Sequence, residues 1–195
     1  MSVIFGIKEE NEVIIAGDKR TSLITGDKVS DEQQKVYEIN NELAFACAGN
    51  VSIETVIIME INKQINKDTM RTDDLVEIID KFYKGLVEKQ CNTIYSYTFC
   101  CLIAGSGSDG EPHLVNAGKF KDGFSFEDVE MALYHPADAD QNECNQIFAK
   151  NYYSNHNDFC ERTIHDISLI SDLVSKNGSK WVYDIRDRKG KMHEF

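Results

Sequence analysis

Ser2, directly behind Met1, is the first residue of this 195-residue chain with chemistry of its own to offer. A small residue at the second position permits removal of Met1 by methionine aminopeptidase. The serine then carries a nucleophile and a base on one residue. An α-amino group titrates at about 7.7–8.0, so a usable neutral fraction exists near neutrality. That amine takes the hydroxyl proton directly or through one water, and the oxygen attacks a carbonyl. A lysine close by would hold the amine's pKa lower by like-charge repulsion. Many chains begin Met-Ser, so Ser2 gains weight only from the residues that accompany it.

Other groupings carry less. Gly105-Ser-Gly-Ser-Asp-Gly110 has the letters of a dinucleotide-binding turn, but such a turn must open a helix. Here Glu111-Pro112-His113-Leu114 leads into another strand, so the segment reads as a hairpin loop. His156, Cys160 and His165 fit no standard zinc spacing and read as different faces of a helix. Tyr152-Tyr153 reads as packing or an interface. Arg186, Arg188, Lys189 and Lys191 are broken by Asp187 and read as a solvated tail.

The elements that must position Ser2 begin with its own strand. Residues 2–7 (SVIFGI) are a nearly continuous apolar run, as in a strand buried on both faces. Lys8–Glu12 forms a polar loop, and Val13–Ala16 returns as the second strand of a hairpin that ends at Gly17-Asp18. A polar stretch runs to Gln34, and Leu43–Ala48 is a third buried strand. Ile53, Val56, Ile57 and Ile61 recur at helical spacing, as do Leu75, Ile78, Ile79, Phe82 and Leu86. Thr72 is the expected N-cap of the second helix, with Asp73 and Asp74 in its first turn. Tyr97–Ala104 and His113–Val115 read as a strand pair. Residues 127–133, 140–152 and 159–172 read as helices, and Trp181–Ile185 as a closing strand. The order is that of an α+β protein.

Composition narrows the partners. A net charge of −12, spread along the chain, argues against a nucleic-acid backbone as ligand. No run approaches membrane-spanning length, and no signal-type segment opens the chain, so a cytoplasmic location is expected. The six cysteines (47, 91, 100, 101, 144, 160) are then expected reduced, as small core hydrophobes. Cys100 and Cys101 are adjacent, which puts one on each side of a strand. Length and the lack of a linker favour a single domain over residues 1–195.

SVIFGI, then VIIAGDKRTS, then QQKVYEINNELAFACAGN resembles, in order and near-fixed spacing, the N-terminal nucleophile hydrolases of the proteasome β-subunit and HslV type. The likeness is strong over residues 2–58 and extends to about 116. It implies a four-layer αββα sandwich and a nucleophile at Ser2. It places Asp18 beside Lys35, with the lysine next to the nucleophile, and Gly49 N–H as oxyanion donor. Without the resemblance, Lys35 reads as a surface lysine, Asp18 as a turn residue and Gly49 as a strand–helix junction. Arg20 matches a position that supports the site, and Ser22 one that lines the substrate groove. Asp172-Leu-Val-Ser175 matches an Asp-x-x-Ser that supports the amine.

The chain also departs from the pattern. The usual Gly-Ser-Gly before a helix is replaced by Ala132–Asp138, where His135 or Asp138 would have to stand in. Lys176 replaces a glycine, and serine replaces the commoner threonine. The implied activity is peptide-bond hydrolysis through a serine acyl-enzyme, with no metal or organic cofactor. Implied partners are a homo-oligomeric ring, peptide or unfolded-protein substrates and an ATP-driven unfoldase. Two alternatives stand beside this. One is a non-catalytic ring subunit; the other is an amidohydrolase or acyltransferase acting on a non-peptide amide.

Overall fold

The computed structural model describes residues 2–23, 25–49, 51–88, 99–120 and 123–195. The opening hairpin pairs β1 (Ile4–Lys8) with β2 (Glu12–Asp18), with Phe5 opposite Ala16 and Ile7 opposite Ile14. Lys8 still pairs with Val13, so the connection is tighter than the polar run suggests, and Glu9 N–H closes it on the Glu12 carbonyl at 2.8 Å. Both strands are buried almost throughout because each of their faces meets another layer.

After a short pair, β3 (Thr21–Ser22) and β4 (Lys28–Ser30), come β5 (Val36–Asn40) and β6 (Leu43–Gly49). Helices α1 (Val51–Asn62) and α2 (Thr72–Glu88) follow, and then β7 (Phe99–Ser106) and β8 (Pro112–Phe120). The Gly105–Gly110 segment ends β7 and forms the turn into β8, closed by Gly107 N–H on the Glu111 carbonyl at 2.8 Å, a hairpin as its sequence implies. Next are β9 (Gly123–Asp128), β10 (Met131–Tyr134), α3 (Gln141–Ser154), α4 (Phe159–Ser168), β11 (Gly178–Asp184) and β12 (Lys189–Glu194).

One sheet runs β10-β1-β2-β11-β12 and the other β5-β6-β7-β8-β9. They stack on a core that includes Ile4, Ile15, Val36, Leu102 and Trp181. On β6 Leu43, Phe45 and Cys47 face α1 and α2, while Ala44, Ala46 and Ala48 face the other sheet. Small side chains on that face let the two sheets approach closely. The outer face of the first sheet packs Phe5, Ile7 and Ile14 against Phe148, Phe159 and Ile164 of α3 and α4. The result is the αββα sandwich that the resemblance implies.

Cys101 lies beneath the α1–α2 layer and Cys100 at the inter-sheet core, one on each side of β7. All five described cysteines are free thiols.

Several sequence expectations are corrected. Residues 127–133 are not a helix: β9 ends at Asp128, and the chain crosses to the other sheet as β10. Backbone bonds from Val129 N–H to Leu114 O (2.9 Å) and Lys8 N–H to Glu130 O (2.8 Å) hold this crossing extended. Its apolar residues alternate: Phe124 and Phe126 face the α1–α2 core, and Leu133 faces α3 and α4. Helix α4 stops at Ser168 rather than 172. Thr72 is inside α2, whose first turn is closed by Arg71 N–H donating to Asp74 Oδ2 at 2.8 Å. The basic stretch is no loose tail: Lys189 and Lys191 belong to edge strand β12, with Val182 opposite Lys191. Arg188 donates to Glu42 Oε2 (3.1 Å) and Ser106 Oγ (2.9 Å). Tyr97 and Thr98, expected to begin β7, and Cys91 lie outside the described residues.

Candidate active site

Ser2 sits just before β1, and the β1–β2 register brings it beside the end of β2. Val3 N–H donates to Asp18 Oδ1 at 3.2 Å, and Asp18 N–H returns to the Val3 carbonyl. Lys35 arrives from the other sheet. Its carbonyl accepts from Cys47 N–H at 2.9 Å, which extends the β5–β6 ladder by one residue and fixes the side chain's origin. Gly17 lies against this lysine: a Cβ there would stand 3.3 Å from Lys35 Cβ and 3.1 Å from Ile4. A larger residue at position 17 would therefore crowd the lysine stem.

Lys35 Nζ donates to Ser2 Oγ and to the Arg20 carbonyl, and lies 3.8 Å from Asp18 Oδ1. Asp18 is fully buried, and Lys35 is 4% exposed. Three backbone N–H groups hold Asp18: Val3, Arg20 at 2.7 Å and Ser175 at 3.1 Å. Burial pushes the Asp18 carboxyl up, and Lys35 and these donors pull it back. Burial likewise lowers the Lys35 ammonium, against the opposing charges of Asp18 and Glu54. The pair is thus a buried, hydrogen-bonded ion pair with its cation directed at a hydroxyl.

Arg20 binds Asp31 through Nε (2.7 Å) and Nη2 (3.2 Å), and Nη1 donates to the Asp172 carbonyl at 2.7 Å. Its guanidinium is thereby committed to scaffolding. Arg20 and Lys28 hold the Asp31 carboxyl down to about 2. Ser22 does line the pocket in front of Ser2. The Thr21 and Ser22 hydroxyl oxygens are buried and lack hydrogen-bond partners among the described residues.

Gly49 closes β6 at φ 119°, a conformation that favours glycine, and borders the same pocket.

The remaining two predicted residues serve the site indirectly. Ser175 is buried; its Oγ accepts from Lys19 N–H at 2.9 Å and donates to the Asn177 carbonyl at 2.7 Å. It shapes the turn that delivers its own N–H to Asp18. Asp172 is exposed and reaches the site through its backbone carbonyl, on Arg20. Asp138 does not stand in for the missing serine: it accepts from Ser171 Oγ (2.6 Å) and Asp172 N–H (3.0 Å). His135 Nδ1 lies 2.9 Å from the Pro136 carbonyl, away from Ser2. His156 meets Glu9 (3.4 Å) and Glu12 (3.6 Å), while Cys160 points into the core, so the His156/Cys160/His165 grouping does not converge.

Sequence reasoning missed Glu54. It lies in the first turn of α1, is 6% exposed, and borders the pocket with Ser2, Gln33 and Lys35. Tyr37 Oη (2.5 Å) and Gln33 Nε2 (2.9 Å) donate to its Oε1. Helical periodicity marks Ile53 and Ile57 as inward but leaves their neighbour unassigned, so only the pairing of β5 with β6 places Tyr37 beneath it.

A double-sheet sandwich with a lysine–serine contact at the head of its first strand defines the N-terminal nucleophile hydrolase class of architecture. A family model described as proteasome subunit matches residues 2–118, and the chain belongs to that family. Subunits of this family assemble into oligomeric rings; many are hydrolases and some are inactive. No curated protein matches the chain.

Proposed function

We propose that this subunit is a catalytic peptidase of the HslV-like kind, with Ser2 as its nucleophile once Met1 is removed. The observation that carries the reading is the Lys35 Nζ contact on Ser2 Oγ, made in a pocket bordered by Gly49. Ser2 Oγ forms a bond to the substrate carbonyl carbon while its proton passes to the serine's own α-amine. The oxyanion receives the Gly49 N–H, and the protonated amine then gives its proton to the departing amine as the C–N bond breaks. Water, deprotonated by the same amine, opens the ester and restores Ser2. Lys35 stabilises charge on Oγ and keeps the amine from being fully protonated near neutrality. Asp18 holds the lysine. The unpartnered hydroxyls of Thr21 and Ser22 suit hydrogen bonds to an extended peptide.

The reading includes a homo-oligomeric ring in the cytoplasm, fed with unfolded protein by an ATP-driven partner. A second reading, a non-catalytic ring subunit, is favoured by one observation. Neither His135 nor Asp138 reaches Ser2, so the amine lacks the support that the missing Gly-Ser-Gly serine would give.

The intact mass of untagged protein before and after a peptide epoxyketone separates the two, since the reagent needs a hydroxyl and a free amine on one residue. Loss of Met1 with one adduct on Ser2, absent in Ser2→Ala, is the expected result. Retained Met1 in native material supports the non-catalytic subunit.

A further inference from the structure

We infer that Glu9, Glu12 and His156 form a binding site for one divalent transition-metal ion, Zn2+ by the choice of ligands, and that the ion ties the β1–β2 turn to the loop between α3 and α4. The site lies past the far end of β1 from Ser2, so it stands or falls apart from the peptidase reading.

The turn itself brings the two carboxylates together. Glu9 N–H closes it on the Glu12 carbonyl at 2.8 Å, which sets the two acids three residues apart on one tight bend. His156 lies two residues past Ser154, the end of α3, and reaches back over that bend. One ligand atom from each of the three residues lies within 4.8 Å of the other two.

The spacing suits a shared ion better than a hydrogen bond. His156 Nε2 is 3.4 Å from Glu9 Oε2 and 3.6 Å from Glu12 Oε1. Both distances exceed the roughly 2.7–3.2 Å of an N–H···O bond. Two ligands on a tetrahedral ion, with bonds of about 2.0–2.1 Å, stand about 3.4 Å apart.

The surroundings hold the ligands in this posture. Tyr152 Oη donates to Glu9 Oε1 at 2.6 Å, which leaves Oε2 turned to His156. A ligating carboxylate or imidazole is ordinarily oriented in this way by a neighbour outside the metal's own shell. The imidazole is flanked by Tyr152, edge-on at 5.6 Å, and by the ring of buried Phe159, stacked at 6.0 Å.

Charge asks for a cation here. Among the described residues no lysine or arginine pairs with Glu9 or Glu12, although their side chains are only 23% and 31% exposed. Lys8 is engaged by Asp128 and Glu130, and Lys180 Nζ donates to the Asn157 carbonyl. Two carboxylates therefore face one imidazole, which supplies at most a single positive charge, whereas a divalent ion supplies two. The nitrogen donor favours Zn2+ over Mg2+ and Ca2+, which prefer oxygen alone. Three protein ligands leave the fourth position to water.

Isothermal titration of Zn2+ into untagged, chelator-treated protein tests the site, with the melting temperature followed in parallel. One ion per chain is expected, and the melting temperature should rise with Zn2+ because the ion binds the folded state. His156→Ala and Glu12→Gln should each weaken binding at least about 100-fold, and Tyr152→Phe, which frees Glu9 Oε1, about tenfold. His165→Ala removes an exposed imidazole outside the cluster and should bind as the parent does. Mg2+ at equal concentration should not displace Zn2+. No binding, or binding that survives His156→Ala, overturns the site and leaves the three residues as an ion pair that caps the turn. Equal losses in His156→Ala and His165→Ala would place the ion on scattered surface imidazoles, and an unchanged melting temperature would place it on thiols bared by unfolding. Either result overturns the site as well.

Discussion

Lys35 Nζ donates to Ser2 Oγ across the seam between the two sheets, and stands 3.8 Å from Asp18 Oδ1 on the serine's side. The lysine comes from the head of β5 and the serine from the head of β1, strands that share no ladder. Alignment of the two sheets is therefore what makes the contact.

Lys35→Met removes this cation while keeping the stem's volume. Asp18 would lose its counter-charge but keep three N–H donors, so the loss of stability should fall at about 3 kcal/mol, the lower end for a broken buried pair. Epoxyketone adduct formation should slow on the order of 10²–10³-fold. Urea midpoints and adduct kinetics measure the two effects, and unchanged adduct kinetics would contradict the assigned role.

Gly49→Ala forces an alanine to φ 119° at the junction of β6 and α1. The expected cost is about 1–3 kcal/mol, seen as a lower melting temperature, together with slower acylation as the oxyanion donor shifts. A variant as stable and as reactive as the parent would show that this backbone geometry is not needed.

The Arg20–Asp31 pair should make stability pH-dependent in acid. The folded Asp31 carboxyl sits at about 2, below its ordinary 3.8. A depressed pKa contributes stability that is complete above 3.8 and is lost as pH falls toward 2. Its side chain is 27% exposed, so screening limits the contribution to about 1 kcal/mol. Urea midpoints of the parent and Asp31→Asn should differ near pH 6, and the gap should narrow below pH 3.8 and close as the pH approaches 2. A gap that persists in acid would assign the loss to something other than charge.

Gly190→Ala probes the edge strand that the sequence disguises. A Cβ at this position would lie 2.0 Å from the ring of Trp181, which is fully buried between the sheets. Overpacking of this kind costs about 1–3 kcal/mol. Since β12 lies at the far edge from β1, Ser2 should react with epoxyketone at the parental rate in whatever fraction is folded. Slowed reaction in the folded fraction would mean that β12 and the head of β1 are coupled.

The strands that were legible are those whose burial on both faces forced a continuous apolar run: SVIFGI, VIIA and LAFACA. Helices α1 to α3 were legible from their spacing, and α4 with its end overrun. Strands β9 and β10 were misread because seven residues around Val129 offer helical and alternating spacings at once. Only backbone pairing to Leu114 and Lys8 decides between them. Strand β12 was hidden because an edge strand needs few apolar residues, and its lysines point to solvent.

The sequence by itself determined the serine behind Met1, the buried strands and most of the helices that surround it, and, through resemblance, the set Ser2, Asp18, Lys35 and Gly49. Only the tertiary structure decided what each side chain faces. It turned Arg20 inward to Asp31, gave Asp138 to Ser171, and brought Glu54, with Tyr37 and Gln33 beneath it, to the pocket beside Ser2. The physical reason is that local spacing sets which residues share a strand or helix face. The contacts of a buried polar group are set by layers distant in sequence, where each buried donor and acceptor must find its partner.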